Sequence, residues 1–295
     1  MSRDVREGVK VSPTHREDSV NGIRLHWVEQ GEGPPVVLLH GFPESWYAWQ
    51  HQLPALAAAG FRAVAPDLRG YGLSEKPRGV SAYRIETLVA DVAALVRRLG
   101  AGPAHVVGHD WGGMLSWYLP LFHPEACASV AILNAPHPVA YRRALKTSPD
   151  QRRQSRYVFL FQLPFLPERR LRRDDFAFLE KLLRRDPVTP GAFTDEDIRI
   201  YKEALARPGA LTAAINYYRA AFRHPPRTKG RRWPAGLPAL LVWGEKDRYL
   251  APSLADGVEE WVPGIRVERL PKASHWVQND APDDVNRLLL SFLRS

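Results

Sequence analysis

The sequence predicts an α/β fold in which a mostly parallel, eight-stranded sheet is flanked by helices and interrupted by an inserted helical segment. Three observations lead to this prediction. Short, continuous apolar runs recur along the chain, as expected of strands that are buried on both faces of a sheet. Stretches with helical periodicity alternate with these runs, which is typical of parallel sheets. The alternation stops after Asn134 and resumes near Leu237.

Eight segments have the character of strands. The pair Asn21-Gly22 separates two alternating segments, which indicates a hairpin of two antiparallel edge strands. A more alternating strand is predicted at residues 265–270, and helical periodicity extends from Tyr83 to Leu99. Five buried strands are predicted at residues 35–41, 61–66, 104–108, 129–134 and 239–244.

The inserted segment divides the chain into three parts. Residues 137–234 are predicted to form a helical cap over the strand ends, with residues 1–136 and 235–295 as the two parts of an α/β core. Prolines mark both ends of the cap, which is expected to act as a lid. Its helical patterns cover residues 151–161, 171–183, 195–205 and 210–222.

Composition excludes several classes of protein. The 295 residues, 45% hydrophobic and 25% charged, are ordinary for a globular chain with a sizeable core. The single cysteine, Cys127, excludes an internal disulfide framework and fits a reducing cytosol. The first eighteen residues are charged throughout, without a signal-peptide core, and the apolar runs are too short to span a bilayer. We therefore expect a cytoplasmic protein without stable membrane insertion.

The net charge of +9 is concentrated in one part of the chain. Between Tyr141 and Asp186 there are thirteen Lys or Arg residues and six Asp or Glu residues. A solvated helical face is the simpler interpretation, and a surface for nucleic acid or another acidic partner is the alternative. We expect no nucleic-acid partner.

A nucleophile elbow is indicated by the segment Gly108-His-Asp-Trp-Gly-Gly113, which follows a predicted strand and begins a helix. The residue at the turn is Asp110. A carboxylate gains little by attacking a carbonyl, because the resulting anhydride is itself reactive. At a tetrahedral carbon it can instead displace a leaving group in line and form an ordinary ester. Epoxides and alkyl halides are the electrophiles that suit such a nucleophile.

Hydrolysis of that ester requires a base and a group that orients the base. Asp247 follows one buried strand, and His275 follows the last strand. The order nucleophile, acid, histidine is the one expected of an elbow in this kind of sheet. Asn134 also stands at a strand end, but an amide cannot act as the acid.

The segment His40-Gly-Phe-Pro-Glu44 ends the first parallel strand. The backbone N–H groups of Phe42 and Trp111 can together form an oxyanion hole for the tetrahedral intermediate of ester hydrolysis. A tight structural turn, with a cis Phe42-Pro43 bond, is the other interpretation. The two are compatible, since a fixed turn also aims the amide.

Four motifs resemble those of one known family. Together they are similar to the soluble epoxide hydrolases of the α/β-hydrolase superfamily, from about Val9 to the C-terminus. The resemblance implies the α/β-hydrolase fold and a small-molecule epoxide substrate, with neither a metal nor an organic cofactor. The motifs are HGFPESW at 40–46, PDLRGYGLS at 66–74, GHDWGG at 108–113 and NYYR at 216–219.

The resemblance also implies roles for two tyrosines of the cap. It assigns Tyr157 and Tyr218 as donors to the epoxide oxygen, and a phenol suits this role because it remains protonated at neutral pH. Either tyrosine could instead belong to the aromatic core of a helix face. Trp111 and Phe42 are expected to line the substrate pocket. Glu44 is expected either to order the hydrolytic water or to form a salt bridge or cap.

The predicted reaction converts an epoxide and water to a vicinal diol through an ester on Asp110. Water that is activated by His275 hydrolyses this ester, and Asp247 orients His275. A haloalkane dehalogenase is the first alternative, although that class commonly places Asn where Phe42 stands. A non-catalytic ligand receptor on a hydrolase fold is the second, and it would need only the pocket. The chain is expected to be a monomer or a homodimer.

Overall fold

A computed structural model describes residues 12–295 of the chain. Residues 1–11 lie outside the described part. The start of the predicted core, and much of the charged N-terminal segment in which no signal peptide is expected, therefore also lie outside it. Among the helices of residues 12–295, none combines the length and the apolar character needed to cross a bilayer.

The described residues form a single eight-stranded sheet, which confirms the predicted fold class. The strands are β1 (Thr14–Val20), β2 (Ile23–Gln30), β3 (Pro35–Leu39), β4 (Arg62–Pro66), β5 (Ala104–His109), β6 (Cys127–Leu133), β7 (Ala239–Gly244) and β8 (Arg266–Leu270). They lie in the order β1-β2-β4-β3-β5-β6-β7-β8. The pairs β1–β2 and β2–β4 are antiparallel, and the other pairs are parallel.

One prediction about the hairpin is wrong. The turn at Asn21-Gly22 joins β1 and β2 as expected, but only β1 lies at the edge of the sheet, because β2 also pairs with β4. The consecutive residues from Leu25 to Val28 are all buried, as in an interior strand that is covered on both faces.

Helices cover both faces of the sheet. The helices are α1 (Gln52–Ala58), α2 (Ile85–Leu99), α3 (Trp111–Phe122), α4 (Pro138–Thr147), α5 (Pro149–Gln154), α6 (Arg156–Leu160), α7 (Leu166–Arg185), α8 (Asp195–Ala206), α9 (Ala210–Arg223), α10 (Val277–Asp280) and α11 (Pro282–Leu293). The core on one face of the sheet includes side chains of α1, α10 and α11. The core on the other face includes side chains of α2, α3 and most of the helices between β6 and β7.

The helices α4 to α9 follow β6 and precede β7, which is where the cap is expected; its bounds at 137 and 234 stay a prediction. The sequence pattern missed α4, because Pro138 was interpreted as a breaker although it occupies the first helical turn, where proline is tolerated. The segment expected to be one helix at 151–161 is two helices that meet at Ser155. Three consecutive left-handed residues, from Asp174 to Phe176, kink α7.

Hydrogen bonds attach these helices to the core above the carboxyl ends of the strands. The Tyr217 hydroxyl of α9 donates to the carbonyl oxygen of Arg69 at 2.7 Å. The Tyr47 hydroxyl, near the end of β3, donates to Asp197 of α8 at 2.9 Å. The same Asp197 closes the capping box of α8 with Thr194. The edge of the sheet at which β3, β5, β7 and β8 end is therefore covered by helices of the inserted segment.

Candidate active site

Asp110 occupies a sharp turn between β5 and α3. Its backbone has φ 49° and ψ −114°, a strained conformation of the kind that nucleophile elbows adopt. The turn is close-packed against β3: a Cβ at Gly112 would overlap the carbonyl oxygen of Leu39, and a Cβ at Gly41 would overlap the Asp110 side chain itself. Glycine at these two positions therefore lets the carboxylate stand between β3 and α3.

The two oxygens of the Asp110 carboxylate have different surroundings. Oδ1 accepts a hydrogen bond from the Phe42 backbone N–H at 2.7 Å, and the Trp111 backbone N–H also hydrogen-bonds this carboxyl group. Oδ2 lies 3.7 Å from Nε2 of His275. Burial raises the pKa of Asp110, and the nearby imidazoles and the two amides oppose this rise. The Phe42 amide thus holds one oxygen, while the other oxygen faces an imidazole.

Asp247 holds His275 in place. Its Oδ2 lies 2.7 Å from Nδ1 of the imidazole and also accepts a hydrogen bond from the Asn134 side chain at 2.9 Å. Its Oδ1 accepts the backbone N–H groups of Tyr249 and Leu250 at 2.7 and 3.0 Å. Asn134, the strand-end amide excluded above as the acid, therefore contacts the carboxylate and helps to orient it.

Three carboxylates surround His275. Burial lowers its pKa, but Asp247, Asp110 and Glu44 outweigh this effect and raise the pKa to about 9. At neutral pH the imidazole of the resting site is therefore protonated and paired with anions. It can act as a base only after it loses this proton, and loss of the charge on Asp110 would favour that.

Glu44 is buried behind the imidazole and lies in a hydrogen-bonded cluster. Its Oε2 accepts the Gly41 N–H at 3.1 Å and lies 2.9 Å from Nδ1 of His109, and its Oε1 accepts the Gln278 side-chain amide at 3.0 Å. Burial raises the pKa of Glu44, but His109 and its other neighbours outweigh this and lower it. His109 in turn donates from Nε2 to the backbone carbonyl of His275 at 2.9 Å. These contacts hold the Glu44 carboxylate in a buried hydrogen-bonded cluster, and its roles as a salt bridge or in ordering water stay predictions.

The turn after β3 combines both interpretations of the HGFPE segment. The Phe42-Pro43 peptide bond is cis, as the structural interpretation expects. The Phe42 N–H at this turn also points at the Asp110 carboxylate. The Phe42 ring packs edge-on against the Tyr218 ring, with the ring centres 5.6 Å apart.

Asp110, Tyr157 and Tyr218 line two cavities of about 390 and 400 Å³ that share these three residues. Phe42 lines the first cavity and Trp111 the second. The two tyrosine rings are 5.9 Å apart, and Tyr218 packs edge-on against Trp111 at 4.9 Å. Burial raises the pKa of both phenols well above its ordinary value. Both can therefore donate hydrogen bonds near Asp110 across the physiological pH range.

The sequence analysis missed two tyrosines that line these cavities. Tyr249 lines the first cavity, and its ring lies 5.8 Å from that of Tyr157 and 5.4 Å from that of His275. Tyr141 lines the second, and its hydroxyl donates to Ser155 at 2.9 Å. The one available signal was the position of Tyr249 two residues after Asp247, since a residue that close to the acid must border the site.

The carboxylates of the site are engaged by nitrogen donors rather than arranged around a cation. Within residues 12–295, there is no group of three or more His, Cys, Asp or Glu side chains that could hold a metal ion. Asp110 and Asp247 each accept two backbone amides, and Glu44 accepts one backbone amide and one side-chain amide.

Comparisons with known proteins agree with this fold. A family profile described as alpha/beta hydrolase fold matches residues 34–282. The chain is 40% identical over 279 residues to the AB hydrolase superfamily protein YfhM of Bacillus subtilis, covering 94% of this chain and 96% of that protein. It is 38% identical over 283 residues to Epoxide hydrolase 3 of Xenopus tropicalis, covering 93% and 76%. A crystal structure of an epoxide hydrolase from Bacillus megaterium in complex with an inhibitor has a TM-score of 0.83 and 32% identity, covering 95% of this chain and 100% of that one.

Proposed function

The chain belongs to the epoxide hydrolase family of the α/β-hydrolase superfamily, and we propose that it hydrolyses an epoxide to a vicinal diol through an ester on Asp110. The observation that carries the proposal is the position of the Asp110 carboxylate. The Phe42 amide holds one of its oxygens, His275 faces the other at 3.7 Å, and two phenols line the same cavities.

In the first step, Oδ2 of Asp110 attacks one carbon of the oxirane. A carbon–oxygen bond of the ring breaks as the ester bond forms, and the oxygen takes a proton from Tyr157 or Tyr218. An alkoxide is more basic than a phenolate, even when burial has raised the pKa of the phenol as it does here. Two donors near one oxygen support proton transfer and also fix the direction of ring opening.

Before the second step, the proton that His275 carries in the resting site passes to the phenolate left by ring opening. The neutral imidazole then removes a proton from water, which attacks the ester carbon of Asp110. The developing charge falls on Oδ1, to which the Phe42 amide already donates, and the Trp111 amide also hydrogen-bonds this carboxyl group. The protonated imidazole gives its proton to the departing alcohol. The regenerated carboxylic acid of Asp110 then releases one proton, which returns to His275 and restores the resting site.

The charge on Asp110 couples the two steps. In the resting site this charge contributes to the raised pKa of His275. Ester formation removes the charge, so that the pKa of the imidazole falls when the base is needed. Asp247 keeps its charge throughout and continues to orient the ring.

Two features favour an epoxide over an alkyl halide. The side chain of Phe42 is apolar and cannot donate a hydrogen bond to a halide. The hydroxyls of Tyr157 and Tyr218 suit an oxygen that becomes basic as the ring opens. The two cavities that share Asp110 further support a substrate with a substituent on each side of the oxirane.

Trapping the ester tests the proposal. His275→Gln removes the base, and we expect it to accumulate an ester after exposure to a mixture of epoxides and chloroalkanes. The intact mass should rise by one whole epoxide, and the modification should map to the peptide that contains Asp110. The double variant His275→Gln with Asp110→Asn should take up none. His123→Gln, at the partly exposed end of α3, should turn over as the unmodified chain does.

Other outcomes separate the alternatives. A gain equal to an alkyl group without its halogen would assign the chain as a dehalogenase. Adduct formation that persists in the double variant would exclude Asp110 as the nucleophile. Tight binding of epoxides without adduct or diol, in a folded protein, would favour a ligand receptor.

A further inference from the structure

The surface of the inserted segment carries an open groove of about 930 Å³ between α7 and α9, with Asp110 absent from its lining. We refer to it as the basic groove. Five arginines and one carboxylate line it, together with an aromatic ring at its rim. Its residues include Phe165, Glu168, Arg169, Arg172, Arg173 and Arg223.

The charge of the basic groove is largely uncompensated. The carboxylate of Glu168 is occupied by Arg219, which donates to its two oxygens at 2.7 and 3.1 Å. Three of the other arginines, Arg169, Arg172 and Arg223, lie beyond ion-pair distance of every carboxylate in residues 12–295. All three residues are exposed. Arg223 donates one N–H to the carbonyl oxygen of Gln162 at 3.0 Å, and the other N–H groups of the three guanidinium groups are available to an anionic partner.

Apolar side chains project from the same surface. Phe165 is 84% exposed, and the flanking Leu163 and Leu166 are 45% and 50% exposed. The backbone of Phe165 has φ 59°, a conformation that a bulky residue rarely adopts. Phe165 thus adopts a strained backbone conformation in a segment that exposes an aromatic ring and two leucines to water beside the arginines.

We propose that this surface docks reversibly on an anionic lipid bilayer. The three apolar side chains of the 163–166 loop would enter the headgroup region, and Arg169, Arg172 and Arg223 would pair with lipid phosphates and carboxylates. An apolar tip surrounded by cations complements such a surface in both respects. Nucleic acid would match the charge, and one ring could stack on a base, but the two leucines would remain without a partner.

The position of the groove gives this docking a consequence for the site. Arg170 and Leu171 belong to the same turn of α7 as Arg169 and Arg172, yet they line the cavity that contains Asp110. Docking therefore brings that cavity near the bilayer surface, into which apolar epoxides partition. The docking itself does not depend on the reaction proposed for Asp110, because lipid binding is measured without turnover.

Co-sedimentation with vesicles tests the proposal on the full chain. We expect binding to phosphatidylcholine vesicles that contain about one third phosphatidylserine, weak binding to phosphatidylcholine alone, and loss of binding as salt is raised. The double variant Arg169→Gln with Arg172→Gln should bind the anionic vesicles roughly twentyfold less well, since each arginine near a charged bilayer contributes about fivefold. Phe165→Ser, which leaves the charge unchanged, should also weaken binding.

A matched control keeps the net charge of the double variant. Arg97→Gln with Lys272→Gln removes two exposed cations outside the groove and should bind vesicles as the unmodified chain does. All substituted positions are exposed, so each variant should keep its unfolding midpoint. Equal loss in the control and the groove variant would overturn the proposal, because net charge alone would then explain binding. Binding to a single-stranded RNA oligonucleotide that is tighter than to vesicles would also overturn it, in favour of a nucleic-acid surface.

Discussion

Replacing Asp110 by asparagine imitates, without a substrate, the loss of charge that ester formation would cause at this position. We expect Asp110→Asn to lower the pKa of His275, which is about 9 in the resting site. The reason is electrostatic, since the remaining carboxylates of Asp247 and Glu44 are unchanged. The same substitution should abolish turnover, so that the imidazole can be titrated in a static site.

The size of the effect follows from one distance. Oδ2 of Asp110 and Nε2 of His275 are 3.7 Å apart, and the Asp110 side chain is 17% exposed. Two unit charges at this separation interact by about 4 kcal/mol at an effective dielectric constant of about 20. That energy corresponds to nearly a thousandfold change in proton affinity, which solvent at the carboxylate reduces. We therefore expect a pKa for His275 of about 7 in the variant.

Nuclear magnetic resonance of ¹⁵N-histidine protein measures this pKa directly, by titration from about pH 5.5 to about pH 10. The chain has ten histidines, and the signal that is missing in His275→Gln identifies the relevant one. Stability gives an independent measurement. Because the folded pKa exceeds 6.5, protonation of His275 stabilises the fold fully below pH 6.5, and this contribution disappears as the pH rises through about 9. In Asp110→Asn the smaller contribution should be lost as the pH rises through about 7.

A charge removed elsewhere provides the control. Asp256→Asn neutralises an exposed carboxylate that pairs with Arg269, and the titration of His275 should not change. If His275 still titrates near 9 in Asp110→Asn, the charge of Asp110 does not raise its pKa. If the imidazole of the unmodified chain titrates below its ordinary value of 6.5, burial outweighs the three carboxylates, contrary to this prediction.

Three further predictions concern the phenols, the elbow and the base. Tyr157→Phe and Tyr218→Phe should each slow single-turnover ester formation about a hundredfold. The control Tyr201→Phe, in α8, should not slow it. Equal rates in all three variants would mean that neither phenol takes part in the reaction. In a denaturant titration, Gly112→Ala should lower the free energy of unfolding by about 3 kcal/mol. Gly257→Ala, whose Cβ would meet open space, should lower it by about 1 kcal/mol. Similar losses in the two variants would contradict close packing at the elbow. In acid-quenched mass spectra of the turning-over enzyme, the esterified fraction should be higher at about pH 5 than at about pH 8, since a protonated imidazole cannot activate water. A constant fraction would argue against a histidine base.

The strands were readable because their signal is local. An apolar run such as β5 or β7 must be buried on both faces wherever it lies, and its length distinguishes it from a helix. The helices of the inserted segment were harder to predict. The kink of α7 places Asp174, Asp175 and Phe176 in left-handed conformations that local preference disfavours. Burial of Phe176 is a tertiary contact, and sequence periodicity carries no information about it.

The sequence indicated that three residues of the candidate site lie together, but it did not indicate the electrostatics of the site. Asp110, Asp247 and His275 each follow a strand, and parallel strands bring their carboxyl ends to one edge, so the three could be grouped from sequence. The contact between Asn134 and Asp247 joins residues that are 113 positions apart. The hydrogen bond between His109 and Glu44 has no sequence signature of its own.

The amino-acid sequence alone was enough to predict the order of the eight strands along the chain, the carboxylate at the elbow and the class of electrophile that a carboxylate suits. These follow from periodicity and from the intrinsic chemistry of single residues. The protonation of His275 at rest depends instead on the folded arrangement, since its pKa reflects burial and three carboxylates from separate segments. It also decided that the arginines of α7 divide between a cavity and an exposed groove, because the packing of the helix, not its composition, determines which side faces solvent.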